Sequence, residues 1–328
     1  MSDLAPLAES VSVDPLVGHP ADYHVFHKFL TRCKQLPAIT TAVCWPMSDV
    51  ALRGTVEAAA EGLIRPTLIG DEAEMKALAI RIGVDISAYP IVDAETESKA
   101  AELCVAMCRS GNAQAMMKGS LHTDELMKVA MARDTGLRTS RRITHVFVMD
   151  TPTYPRTLLI TDAAINIEPD LEDKIHIVQN AIDLAHALGI PEPKVALLSA
   201  VETVNTKIQS TLDAAALCKM ADRGQITGGI LDGPLAFDTA VSVKAAAIKK
   251  LVSPVTGQAD ILVVPDLESG NMLAKQLEYL GGAQLAGIVL GARVPVILTS
   301  RADSAETRLT SCAVAVLLHY AEHPLGKA

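Results

Sequence analysis

Aromatic side chains are scarce in this sequence: four Phe, five Tyr and one Trp make up 3% of 328 residues, although 49% of the chain is hydrophobic. The core must therefore be packed from Ala, Val, Ile, Leu and Met, a mixture suited to buried parallel strands covered by Ala-rich helices. The same scarcity argues against single-strand nucleic-acid binding, which stacks bases on aromatic platforms inside a basic groove. Basic residues are the minority too, 29 Lys+Arg against 38 Asp+Glu for a net charge of -9, so no nucleic-acid partner is expected.

Other absences narrow the class further. No run approaches the roughly 20 apolar residues of a membrane span, and the opening MSDLAPLAESVSVDPLVGHP has neither the basic nor the apolar region of a secretory signal. The expectation is a cytoplasmic protein without membrane contact. The cysteines, at 33, 44, 104, 108, 218 and 312, include no Cys-x-x-Cys pair. Cys104 and Cys108 would share a helix face as a reduced, buried pair, and neither a disulfide nor zinc is expected. His24 and His27 lack further partners at metal-ligand spacing, so no metal site is expected. No Gly-x-Gly-x-x-Gly opens a helix, no P-loop exists and no Gly-x-Ser-x-Gly elbow appears, which removes support for dinucleotide, nucleoside-triphosphate and serine-hydrolase readings of those types.

What the chain does have is alternation. Apolar, β-rich runs fall at 38–45, 66–69, 113–117, 145–149, 157–160, 195–198, 226–231, 261–264, 287–290 and 296–299. Helical stretches separate them, at 22–36, 48–61, 72–82, 95–110, 122–132, 205–222, 238–252, 269–280 and 303–320. The clearest helix starts at Leu171, with Leu171, Ile175, Val178, Ile182 and Ala185 on one face, Asp170 as its cap, and Gly189 and Pro191 as its stop. Strands alternating with helices mean parallel β-α units, and this length suits two α/β lobes with a cleft or one large one. Residues 1–20 have no periodicity and read as a tail. The segment 133–142 (RDTGLRTSRR) reads as a hinge between lobes or as a solvated loop.

In an open α/β sheet, ligands collect where strands end and helices begin. Small polar residues end strand after strand here: Lys118-Gly119-Ser120, Thr161-Asp162, Ser199, Asp232-Gly233, Asp266 through Gly270-Asn271, and Thr299-Ser300-Arg301. Gathered on one sheet edge, six such loops would form an anion-binding rim.

At these residues the chain resembles the phosphate acetyltransferase and phosphate butyryltransferase family. The run Ser253-Pro254-Val255 with Gly257 and Ala259, continuing into Pro265-Asp266-Leu267 and Gly270-Asn271, is similar to that family's long C-terminal signature, and Ser300-Arg301 follows at the family's spacing. With Met117-Lys118-Gly119, Leu198-Ser199 and Asp232-Gly233, the resemblance spans about 25–325. It implies two α/β/α lobes with an inter-lobe cleft, similar to isocitrate and isopropylmalate dehydrogenases. The first lobe would combine 1–141 with 293–328, and the middle lobe, 142–292, would form a homodimer. Some relatives carry an enoyl-CoA hydratase domain in front; the short leading segment here is far below domain size, so that activity is not expected.

The implied reaction is acyl-CoA plus phosphate giving acyl phosphate plus CoA, with short acyl groups from acetyl to butyryl. Coenzyme A and phosphate are substrates, and no tightly bound cofactor is expected. Arg301 suits phosphate, whose oxygens its planar fork binds two at a time. Ser300 suits the oxyanion at the thioester carbonyl. Lys118, Gly119, Lys128, Ser199, Asp232, Gly233, Gly270 and Asn271 are the candidates for holding phosphate or CoA.

Two positions depart from the acetyltransferase branch. Its acidic residue seven positions after the serine, proposed to deprotonate CoA, is Thr307 here, and its arginine near 126–128 is replaced by Met127. Both departures point toward the butyryltransferase branch. Asp303 and Glu306 are the nearest substitute bases, though Asp303-Ser304-Ala305-Glu306 also reads as a helix capping box. Lys118 or Lys128 would supply the missing charge. A thiol of pKa ~8.5 leaves as thiolate without a strong base, so direct transfer in a ternary complex is expected, without an acyl-enzyme. Two other readings compete: a CoA-binding regulatory module of the same family, and a metal-dependent hydroxyacid dehydrogenase of the same fold.

Overall fold

The structure, a computed structural model, describes residues 25–300 and 303–325. The expected tail, His24 and Arg301 lie outside the described residues. After α1 (Val25–Cys33), strand and helix alternate: β1 (Ile39–Cys44), α2 (Asp49–Ala60), β2 (Ile64–Gly70), α3 (Glu72–Ile82), β3 (Ile91–Asp93), α4 (Glu97–Arg109), β4 (Ala115–Lys118) and α5 (Thr123–Ala130). The middle of the chain adds β5 (Thr144–Asp150), β6 (Leu158–Thr161), α6 (Leu171–Ala187), β7 (Lys194–Leu198), α7 (Gln209–Asp222) and β8 (Ile230–Leu235). Then come α8 (Phe237–Val241), α9 (Val243–Ile248), β9 (Ile261–Val263), α10 (Leu267–Tyr279), β10 (Gln284–Leu290), β11 (Val296–Ile297) and α11 (Ala305–Glu322).

Polar residues set where the helices begin. Ser48, Asp71, Thr96, Asp170, Asp266 and Ser304 each accept an amide of the first turn that has no partner inside its helix. One of them corrects the sequence reading: Ser304, accepting from the Thr307 amide at 3.1 Å, caps α11, not Asp303. Asp303 is instead turned back onto the Ser300 amide. The stretch 238–252 is likewise not one helix but two, because Ser242 ends α8 and caps α9.

All eleven strands form one sheet in the order β3-β2-β1-β4-β11-β10-β5-β6-β9-β7-β8. The expected parallel β-α units are present on both flanks, but the sheet as a whole is mixed, since β10 is antiparallel to β11 and β5, and β5 is antiparallel to β6. The connections explain this: 151–157 and 291–295 are too short for the dozen or more residues of a parallel crossover. The sheet's two flanks therefore run in opposite directions.

That reversal also corrects the expectation of a single ligand-binding edge. Met117, Ile297, Ile288, Val146, Thr161 and Val263 form one row across the sheet. Strand β4 ends one residue past this row and β11 ends at it in one direction, and β6 and β9 end at it in the other. Carboxyl ends from both flanks thus meet in mid-sheet, around β10 and β5. The segment 133–142 is tied down around this junction: Thr139 donates to the Gly291 carbonyl, Arg141 pairs with Asp183 and Arg142 with Asp173.

The core follows from composition. Large buried side chains include Ile39, Leu52, Ile64, Leu68, Met116 and Met117, and Ala fills the helix faces against them. All six cysteines are free thiols. Among the described residues, no helix is long and apolar enough to cross a membrane.

Candidate functional site

A cavity of about 450 Å³ opens where the carboxyl ends meet. From the end of β4 it receives Lys118 and the Leu121–His122–Thr123–Asp124 turn, and from the end of β11 it receives Leu298, Thr299 and Ser300. The opposing flank contributes Ala164, just past β6, and Asn271 and Lys275 on α10, while Phe147 of β5 lines it from the sheet.

Each loop is held by specific bonds. Lys118 is only 2% exposed, and its ammonium donates to the Leu121 and Gly119 carbonyls, so it stiffens the turn that carries it. Gly119 is required by space: a Cβ there would lie 2.4 Å from the Trp45 carbonyl oxygen. Across the cavity, Asp162 accepts from the amides of His145, Ala164 and Ile165 and from the Asn166 side chain. It thereby fixes the Ala164 turn.

Gly270 works in the same way. Its Cβ would meet Val264 at 2.7 Å and the Asp162 carbonyl at 2.8 Å, so only glycine lets α10 pack this closely on the end of β6. Close packing brings Asn271 and Lys275, one turn apart, to the cavity on one helix face. Asn271 donates to the Ala163 carbonyl at 3.2 Å.

The Thr299-Ser300 turn is gripped from two sides. The Ser300 amide donates to Asp303 Oδ2 at 2.7 Å, and its carbonyl accepts from Arg308 Nη2 at 3.2 Å. The second carboxylate oxygen of Asp303 is buried and lies 3.7 Å from the Lys275 ammonium, which also pairs with Glu278 at 2.9 Å. Burial pulls the Lys275 ammonium down, but the hydrogen bond to Glu278 and the neighbouring Asp303 and Glu278 charges outweigh it, leaving the group above its ordinary value. Lys275 is thus a cation on the cavity wall.

Of the sequence candidates, Lys118, Asn271 and Ser300 line this cavity; Gly119, Gly270 and Asp303 shape it from behind. The others are elsewhere. Lys128 is exposed in a groove between α4 and α5, and Glu306 bonds Gln284 on the surface. Ser199 bonds Ser210 beyond the end of β7, and the Asp232 carboxylate accepts the Gly233 amide. Gly233 is a packing position, where a Cβ would lie 2.7 Å from that of Leu197. Sequence reasoning missed Lys275 and Arg308. Lys275 was legible as the residue one turn beyond Asn271 on the same helix face; Arg308 gave no signal beyond being a cation in a largely apolar helix. Among the described residues, no group of three His, Cys, Asp or Glu side chains is placed to hold a metal ion.

Five of the thiols are poor nucleophiles. Burial pushes Cys33, Cys108, Cys218 and Cys312 up to about 12, and Cys104 well above its ordinary value.

Comparison with known proteins bears on the family and the fold. The family described as "Phosphate acetyl/butaryl transferase" matches residues 98–316. A protein named phosphate acetyltransferase from Rhizobium meliloti is 57% identical, over 91% of this chain and 94% of its own. One named phosphate butyryltransferase from Clostridium beijerinckii is 40% identical, over 89% and 97%. The crystal structure of a branched-chain phosphotransacylase from Enterococcus faecalis superposes with a TM-score of 0.75 at 31% identity, covering 86% of this chain and 99% of that one. Two-thirds of the sequence matches the family model, and named relatives are 40–57% identical over about nine-tenths of the chain: the chain belongs to the phosphate acetyl/butyryl transferase family.

Proposed function

We propose that the protein transfers acyl groups between coenzyme A and inorganic phosphate in the cavity at the ends of β4, β6, β9 and β11. The observation that carries this reading is the convergence, in one cavity, of Ser300 with the cation Lys275 and the amide Asn271 from the opposing flank. Two oppositely directed sets of strand ends suit a reaction that must hold two substrates face to face. In the forward step, a phosphate oxygen attacks the thioester carbonyl. The new C–O bond forms as the C–S bond breaks, and CoA leaves as thiolate.

Arg301, next in sequence to Ser300, binds phosphate in this reading, with Lys275 adding charge. The Ser300 hydroxyl supports the carbonyl oxygen as it gains charge. Asp303 holds the Ser300 turn; it is a candidate base only through its buried second oxygen. Glu306 and Lys128, away from the cavity, are not assigned a role. CoA and phosphate act as substrates, and transfer is direct, a reading supported by the raised cysteine thiols. The acyl range runs from acetyl to butyryl. The more identical of the two named relatives is an acetyltransferase, so Met127 and Thr307 do not by themselves sort this chain by acyl length.

The same proposal divides the molecule as isocitrate dehydrogenase-like folds are divided, with 1–141 and 293–328 in one lobe and 142–292 in the other. The reversal of strand direction across β10 and β5 supports that division. So does the return of α11 to pack on α1 and α2.

The test is phosphate-dependent thiol release from acetyl-, propionyl- and butyryl-CoA. Turnover should require phosphate, and Arg301→Ala should raise the apparent KM for phosphate by roughly 10–100-fold, the loss of a charge-assisted contact. Thiol release without phosphate, a covalent acyl-protein adduct, or an Arg301→Ala variant with unaltered phosphate dependence would each overturn part of it.

A further inference from the structure

Arg308 is an arginine sealed on the buried face of α11. It is 1% exposed, does not line the cavity, and so does not meet substrate. Its guanidinium nevertheless reaches both loops of the first flank that do. Nη1 donates to the Thr299 hydroxyl at 2.6 Å and to the Lys118 carbonyl at 3.3 Å, and Nη2 donates to the Ser300 carbonyl at 3.2 Å. One planar group therefore spans the ends of β4 and β11, and nothing smaller than its fork covers all three acceptors.

The opposite side of Arg308 is equally constrained. Gly54, in the middle of α2, has no side chain where Arg308 passes: a Cβ there would lie 2.7 Å from Arg308 Cδ and 3.1 Å from its Cβ. Glycine inside a helix costs roughly 0.5–1 kcal/mol relative to alanine. Here it makes room for the arginine stem. Burying a cation is also expensive, the buried Nε of Arg308 has no hydrogen-bond partner, and a stabilising role alone would be served by an apolar side chain of similar size.

We propose that Arg308 is a positioning residue for acyl transfer, a buried clamp that fixes the Lys118 turn and the Thr299-Ser300 turn relative to each other, with Gly54 as the space that admits it. The clamp sets where the Ser300 hydroxyl meets the reacting groups. It rests on the acyl-transfer reading above for its functional consequence, but the loop ordering it predicts is independent of activity.

Three variants of the full chain test this: Arg308→Lys, Arg308→Met and Gly54→Ala. The last leaves every cavity residue in place and favours the helix, so a loss of activity there cannot be blamed on a weakened α2. Each is measured for kcat and for KM toward phosphate and acetyl-CoA, and by amide hydrogen exchange on the peptides carrying Lys118 and Ser300. Arg308→Met should lower kcat by about 100-fold, the order of loss for reacting groups displaced by ~1 Å. Arg308→Lys and Gly54→Ala should lower it by about tenfold, with each KM within about threefold. Exchange should quicken on both peptides together. Activity that falls only with the folded fraction, or unchanged exchange on either peptide, overturns the clamp. Absence of phosphate-dependent thiol release in the unaltered protein would sink the acyl-transfer reading instead, and the exchange data would still decide the clamp.

Discussion

His145 shows how a single side chain can set a pH limit without taking part in chemistry. It is fully buried against Phe147, and neither ring nitrogen has a hydrogen-bond partner. Burial lowers its pKa from 6.5 to about 3. In the unfolded chain the imidazole takes a proton below about pH 6.5; in the folded protein it does not until about 3. Stability is therefore intact above 6.5 and is lost as pH falls from 6.5 toward 3, by about 1.4 kcal/mol per pH unit from this residue. His145→Leu removes both the titration and an unsatisfied polar group, so the variant should be no less stable at pH 7.5. Urea titrations between pH 4 and 6 should show the slope reduced by that amount; an unchanged slope would mean that His145 is protonated in place. The sequence offers no hint of this, because a histidine among Thr, Val and Phe reads equally well as a surface residue.

At the scale of elements, α6 was the helix best marked in the sequence, and the structure adds what periodicity could not: a buried ion pair. Lys174 on α6 and Asp213 on α7 meet at 2.6 Å with both side chains almost wholly enclosed, and Gln209 donates to the second carboxylate oxygen. Removing one partner strands the other charge, so Lys174→Met should destabilise by about 3–5 kcal/mol in urea unfolding. The double variant Lys174→Met with Asp213→Leu should recover most of that; if it is as unstable as the single change, the pair itself is stabilising. Single elements were legible because caps and periods are local. Pairing was not: β3 is three residues long, and β5 and β10 reverse direction for reasons of connection length rather than composition. The same limit applies to the site. Ser300, Lys118 and Asn271 announced themselves in the stretches that follow apolar runs, whereas Ser199, just past β7, and Asp232, inside β8, equally suggestive in sequence, belong to strands that lie beyond β9 and do not reach the cavity.

For the whole molecule, the distribution of exposed apolar side chains bears on assembly. Among the described residues twelve large hydrophobics are exposed; only Ile80, Met131 and Leu325 lie outside 142–292, leaving nine within it. A surface with clustered apolar side chains is the common mark of a subunit interface. Val243, Ile248 and Val252 are 63%, 71% and 100% exposed, close together in sequence on and just after α9. We propose that this middle segment joins two copies in a two-fold dimer, in which the same patch serves both subunits. Sedimentation should then give twice the 34.7 kDa chain mass, and Ile248→Glu with Val252→Glu should yield a monomer. The cavity lies at the junction of the two flanks and takes no residue from α9, so that monomer should keep thiol-release activity within about threefold. A monomeric unaltered protein would overturn the dimer; a charged variant that stays dimeric would place the contact elsewhere on the middle segment.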